Sequence, residues 1–222
     1  EPYILDLPID MKVSANQTAE WGGALWELSY GGEIALIHKL RLLLPGSTVS
    51  VFYGQEVAKT EGSSDIVDDQ LASDVRIGSA GTRFNIDERD NLKFPTSGYT
   101  FDSELAWARY GLGGDLRYFR WDVGTSTYFG FTDRVVLALG FNITAYDGVE
   151  RKGQNLGVLP PQKRLSSGGA DTVRGYSPRS LGPLVRKPTF DSKTADGSCG
   201  ITYSTDPLDG TSRTTIKTEL RY

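Results

Sequence analysis

The chain is poor in the residues on which most site chemistry is built. It holds one cysteine, Cys199, and one histidine, His38, among 222 residues. A lone cysteine closes no internal disulfide, so no disulfide framework can be read. A lone histidine argues against His-based metal centres and hydrolytic triads, and no paired-carboxylate or Cys/His cluster stands out. Long apolar runs are missing as well. None approaches the roughly 20 residues that a spanning helix needs, and the mean hydropathy is −0.32. Positive charge is not in excess: 24 Lys and Arg stand against 28 Asp and Glu. That balance gives no reason to propose nucleic acid as a partner. The chain starts at Glu1 with neither Met nor a signal peptide, as a processed or truncated segment would. None of these absences excludes a membrane β-barrel, whose strands alternate and so average out as polar.

What is abundant is glycine, 26 residues, and a period of two. Alternation with period two marks half-buried strands. In 99–109, Tyr99, Phe101, Leu105 and Trp107 share one face, while Thr100, Asp102, Glu104 and Ala106 share the other. In 117–131, Phe119, Trp121, Val123, Phe129 and Phe131 oppose Tyr118, Arg120, Asp122, Gly124 and Ser126. Similar alternation runs through the rest. It predicts strands at about 3–15, 24–38, 47–58, 74–87, 98–109, 117–131, 134–146 and 212–222. The fourth slips phase near Gly78–Gly81, which predicts a bulge there. Most segments are long enough to cross a hydrocarbon core as tilted strands. Aromatics gather toward segment ends, as interfacial girdles do.

The connections alternate too. Those at about 39–46, 88–97 and 132–133 are short or pinned by Pro and Gly. Those at about 16–23, 59–73, 110–116 and 147–211 are longer and polar. Short turns on one side with long loops outside is the outer-membrane barrel arrangement. A soluble sandwich or lipocalin-like barrel also alternates. Two details favour the membrane. The polar faces carry full charges, Arg120, Asp122, Lys217 and Glu219, which a packed soluble core would not hold unpaired. The other faces are rich in Phe, Trp, Leu and Val, which a water-facing surface does not need.

Two stretches carry further information. Asp87-Glu-Arg89-Asp90-Asn91-Leu-Lys-Phe94-Pro95-Thr-Ser-Gly98 has the composition of a turn. Its expected role is to set strand register, with Phe94 at the interface. The second lies in 164–183, with Gly168-Gly169, Val173-Arg174-Gly175-Tyr176 and Gly182-Pro183. The glycines permit positive φ, and Arg174 projects a rigid fork of donors at the centre. Other candidates are weaker. Gly111-Leu-Gly113-Gly114 lacks the strand–helix context of a dinucleotide site. Asp65, Asp68 and Asp69 could hold a surface cation, though a solvated loop explains them. Cys199 reads as inert.

In order and spacing, these two stretches resemble the turn and loop of the BamA/TamA family of outer-membrane β-barrel proteins. The resemblance implies an all-β, antiparallel transmembrane barrel, with about eight strands here of a sixteen-strand barrel. Residues 1–222 would form one barrel segment, with 147–211 an extracellular loop that folds into the lumen. It implies no enzyme activity, no cofactor and no metal. The implied function is insertion and assembly of other outer-membrane proteins. Unfolded substrates, membrane lipid and accessory lipoproteins or periplasmic domains would be the partners, and the bacterial outer membrane the location. Arg174 would dock on acidic wall groups. Alternation offers Asp102, Glu104, Asp122 and Glu219 and does not choose among them; an anchoring role is favoured over a switch. The alternatives are a two-partner secretion transporter, which exports one protein and shares the loop, and a passive porin. An eight-stranded barrel is filled by its own side chains, and half a barrel leaves two unpaired edges in lipid. The isolated 222-residue chain is therefore expected not to close into a stable barrel. Heat-modifiable gel migration with a protease-protected core in detergent would refute this.

Overall fold

In the computed structural model, residues 9–22, 25–40, 46–62, 74–132, 134–153, 159–170, 172–182, 184–191, 200–207 and 209–222 are described. They divide into two compact units, Glu1–Lys163 with Thr214–Tyr222, and Arg164–Arg213. The strands are β1 (Ile9–Gly22), β2 (Leu25–Lys39), β3 (Ser47–Gly62), β4 (Val75–Asp87), β5 (Gly98–Ala108), β6 (Leu116–Thr132), β7 (Val135–Arg151), β8 (Leu184–Asp191), β9 (Gly200–Pro207) and β10 (Ser212–Arg221). Eight of them make one sheet in the order β1-β2-β3-β4-β5-β6-β7-β10, while β8 and β9 form a separate hairpin. The large sheet is open, with β1 and β10 at its edges. The all-β antiparallel reading of the sequence holds, with five of the eight expected strands close to their expected positions.

The sheet is inside-out by the standards of a soluble protein. Its apolar face is exposed: Met11, Val13, Ile34, Val51, Leu105, Trp107, Phe129, Phe131 and Phe141 all lie open. Its polar face is the sheltered one, where Ser29, Ser50, Thr60 and Thr144 are buried. Arg83 on β4 reaches across β3 and places Nη1 and Nη2 2.6 and 2.7 Å from the two carboxylate oxygens of Glu33 on β2. Its Nε donates to Glu104 on β5 at 2.6 Å. Arg120 on β6 donates to the other oxygen of Glu104 at 2.7 Å. Arg120 also lies 3.5 Å from Asp122, which accepts from Thr144 and Asn142 on β7. One network of charge-assisted bonds thus crosses the wall from β2 to β7. Full charges are tolerated on this face because each carboxylate has a donor.

Phe52 closes the network from below. It pairs in register with Gly81 and is buried with Ala35 and Ala106. The Arg83 guanidinium stacks 3.8 Å from its ring centroid, a cation–π contact. At the loop end the polar face turns apolar, and Val75, Ile77, Ala108, Leu116, Tyr118 and Leu159 form a small core. This patch explains the apparent slip in the fourth segment. Val75 and Ile77 fill the sheltered face at one end, and Phe84 and Ile86 take the exposed face at the other. The register of β4 with β3 and β5 is unbroken, so the bulge expected at Gly78–Gly81 is absent. The irregularities fall instead between β6 and β7, at Arg117/Phe119 and Gly130/Thr132.

Three boundaries also differ from expectation. β1 runs over 9–22 rather than 3–15, so most of 16–23 is strand and two residues separate β1 from β2. Its exposed face there carries small or polar residues, Ala15, Gln17 and Ala19, which hide the alternation. Residues 1–8 lie outside the described residues. β3 and β7 extend four and five residues beyond their expected ends, to Gly62 and Arg151. The segment 147–211, read as loop, holds the β8–β9 hairpin and most of the second unit, Arg164–Arg213.

A Cβ at Gly81 would overlap the Leu105 carbonyl oxygen and sit 2.8 Å from the Phe52 ring. Overpacking of this kind costs about 1–3 kcal/mol. In the full-length protein, Gly81→Val is expected to lower the unfolding midpoint of the refolded barrel, and Gly81→Val with Phe52→Ala to recover part of the loss. A heat-modifiability series in detergent reads both.

Candidate functional site

The turn between β4 and β5 is built by three side chains in sequence. Asp87 accepts the Arg89 side chain at 2.8 and 2.6 Å and the Arg89 amide at 3.3 Å. Asp90 accepts the Thr96 amide at 3.0 Å, the Ser97 amide at 3.1 Å and the Thr96 hydroxyl at 2.5 Å. Asn91 accepts the amides of Lys93 and Phe94 at 2.9 and 3.1 Å. These acceptors supply the bonds that a ten-residue turn would otherwise leave to water. Gly98 closes the turn at φ +100°, and a Cβ there would overlap the Glu88 carbonyl. Pro95 is buried, while Phe94 is exposed. The turn also ties to its neighbour, since the Asp87 amide donates to Gly46 at 3.2 Å. The structure thus brings Asp87, Arg89, Asp90, Phe94, Pro95 and Gly98 together in one turn.

The second stretch lies in the unit Arg164–Arg213 and forms a tight hairpin. Leu181 donates its amide to Ser167 at 3.0 Å, and Gly169 donates to Tyr176 at 3.0 Å. The Thr172 hydroxyl bridges the amide and carbonyl of Gly168, each at 2.8 Å. Gly168, Gly169 and Gly175 have φ of +109°, +92° and +88°. A side chain at Gly168 would overlap the Ser177 carbonyl, so sterics as well as φ demand glycine. The tip exposes Val173, Arg174 and Tyr176, with Gly182 exposed at the base. Pro183 lies outside the described residues, as do Asp65, Asp68, Asp69 and Cys199. Below the tip, Arg179 donates to Asp209 at 2.7 Å, and Arg213 donates to the Ser166 carbonyl at 2.9 Å.

The acids offered by alternation as partners of Arg174 stand differently. Glu104 and Asp122 face each other across β5 and β6 and already hold Arg83 and Arg120. Asp102 is exposed and accepts the Asn85 amide. Glu219 lies 3.4 Å from Arg221.

Sequence reasoning missed a strap that precedes the hairpin. In the larger unit, residues 159–163 dock on the sheltered face. Leu159 enters the small core. Gln162 donates to the Lys59 carbonyl at 2.8 Å and the Thr60 hydroxyl at 3.2 Å. Lys163 pairs with Glu56. The signal was present in Leu159-Pro160-Pro161, where two prolines preset an extended approach. Arg83, the hub of the wall network, was also missed, because it sits where the alternation looked out of phase. Gly111–Gly114 falls at the three-residue turn Tyr110–Leu112 between two strands, with no helix N-terminus to hold a phosphate.

Donation from Thr96, Ser97 and neighbouring amides holds the Asp90 carboxyl down at about 2. A carboxylate stabilised this way supports the fold above its unfolded value, and that support is lost as pH falls toward 2. Asp90→Asn is expected to loosen the turn at neutral pH and to shrink the acid-dependent step, leaving the part that Asp87 and its Arg89 partner contribute. Limited proteolysis of the 88–97 segment between pH 2 and pH 5 checks this.

Comparison with known proteins agrees with the geometry. A family model described as the Omp85 superfamily domain matches residues 1–222. No curated protein matches significantly. Among solved structures, the fold is similar to BamA from Haemophilus ducreyi lacking POTRA domains 1–3, with a TM-score of 0.64 at 15% identity. That match covers 83% of this chain and 37% of the BamA chain, so the chain spans little more than a third of that relative. An inside-out sheet with an internal ionic wall is the physical form of such a barrel segment, and the chain belongs to the Omp85 superfamily of outer-membrane β-barrel proteins.

Proposed function

We propose that this chain supplies wall strands and a lumen loop to a BamA/TamA-type insertase, which folds other outer-membrane proteins into the membrane. The observation that carries the reading is the inverted sheet of an Omp85 chain: apolar side chains turned outward, and an ionic network tying β2 to β7 on the sheltered face. Insertion by such a protein requires no covalent step. It rests on exposed strand edges that template incoming strands by β-augmentation, held in shape by a wall that does not slip. In this reading the hairpin of 164–183 is an anchor. Its glycines and the Thr172 clasp fix the backbone, and the exposed tip presents Val173, Arg174 and Tyr176 for docking inside the barrel. Unfolded outer-membrane proteins are the substrates, and accessory lipoproteins or periplasmic domains the partners.

Arg174→Ala in the full-length protein is expected to lower the level of assembled outer-membrane proteins several-fold and to expose the loop to added protease. Arg174→Lys keeps the charge without the planar fork and is expected to rescue little. Unchanged outer-membrane protein levels with an equally protected loop would overturn the anchor reading. A large, steady conductance indifferent to Arg174→Ala would point to a passive pore.

A further inference from the structure

At the loop end of the exposed apolar face, the composition changes abruptly. Trp107 on β5 and Phe119 on β6 form a girdle pair with ring centroids 5.3 Å apart. One step beyond them on the same face come arginines on three consecutive strands or their ends: Arg76 on β4, Arg109 just past β5, and Arg117 on β6. Their level is fixed by pairing. The Arg109 amide donates to the Gly78 carbonyl at 3.2 Å, two residues from Arg76. Ala108 stands opposite Tyr118, which sets Arg109 beside Arg117. All three are exposed.

Two of the three are held by carboxylates. Arg76 lies 3.4 Å from Asp115, and Arg117 lies 3.1 Å from Glu150. The Arg109 guanidinium, between them, has no ion-pair partner among the described residues. Like charges in a row repel, and exposed pairs of this kind contribute little stability. The arrangement makes sense against an anion that approaches from outside, directly above buried acyl chains.

We propose that Arg76, Arg109 and Arg117 bind the phosphate of a lipid headgroup in the leaflet at the loop end of the barrel. The proposal rests on the membrane reading given above. The occupant follows from continuity, because the patch is the upper margin of the lipid-facing surface, and from charge. An arginine fork meets phosphate oxygens in a bidentate way, and basic side chains at a membrane surface attract anionic lipid. Arg109 makes the central contact, with Arg76 and Arg117 flanking it. The exposed carboxylate of Asp147, opposite Phe119 on the same face, opposes the anion and limits its affinity.

The test uses the full-length protein in detergent, titrated with phosphatidic acid or with diacylglycerol of the same chains, and read by native mass spectrometry. The expected result is a phosphate-dependent, salt-sensitive population. It should weaken about tenfold or more in the Arg76→Gln, Arg109→Gln, Arg117→Gln variant and strengthen in Asp147→Asn. Arg109→Gln alone breaks no ion pair and serves if the triple variant loses heat-modifiable migration. Equal retention of both lipids by the wild type, or an unchanged titration in Arg109→Gln, overturns the site. Failure to retain either lipid overturns the site alone, while loss of heat-modifiable migration in the wild type would overturn the membrane reading.

Discussion

Hydrocarbon cannot hydrogen-bond to a peptide group, so a chain that lies in it must satisfy every N–H and C=O from a neighbouring strand. Nearly every feature of the larger unit follows from that constraint. The strands are long, with 17 residues each in β6 and β7, because pairing has to continue across the whole apolar layer. From β1 to β7 adjacent strands are antiparallel and follow one another in sequence, and the outward face is apolar because nothing polar could be solvated there. The inward face is left to hold whatever polarity the sequence carries. It does so with a continuous network of half-buried members of complementary charge. Removing one member of such a network leaves its partner half-buried with one donor or acceptor fewer.

Strand positions were legible because alternation is a strict consequence of the pleat. Tyr99, Leu105, Trp107, Phe119, Trp121, Leu139 and Phe141 announce one face without ambiguity. Legibility failed where the faces trade character. Ala15, Gln17 and Ala19 weaken the outward signal in β1, and Val75 and Ile77 place apolar residues on the inward side of β4, so a straight strand read as a bulged one. The β8–β9 hairpin was hidden for a different reason, since Leu184–Asp191 and Gly200–Pro207 mix Lys, Pro, Thr and Asp with few apolar residues.

The candidate sites show the same division. The residue types of both stretches declared their local geometry: an Asp-rich turn closed by glycine, and a hairpin hinged at Gly168, Gly169 and Gly175. Partners across the sheet were not legible, because they depend on register. Glu104 meets both Arg83 and Arg120 because β5 sits between β4 and β6 with a particular offset, and no local pattern encodes that offset. The docking partners of the strap at 159–163 were likewise unreadable, since Gln162 and Lys163 find Thr60 and Glu56 more than a hundred positions away.

Arg83 binds Glu33 two strands away on one side and Glu104 on the adjacent strand on the other. A link that skips a strand resists sliding of the strands past one another as well as their separation. The middle of this wall is therefore stiff in shear. β1 is held to β2, beyond its ladder, by the exposed Lys39–Asp10 pair and the Thr18–Ser29 hydroxyl contact among the described residues. A wall tied across β2 to β6 yields first at its margin, so the strand that gives way is set by cross-ties lying far from it.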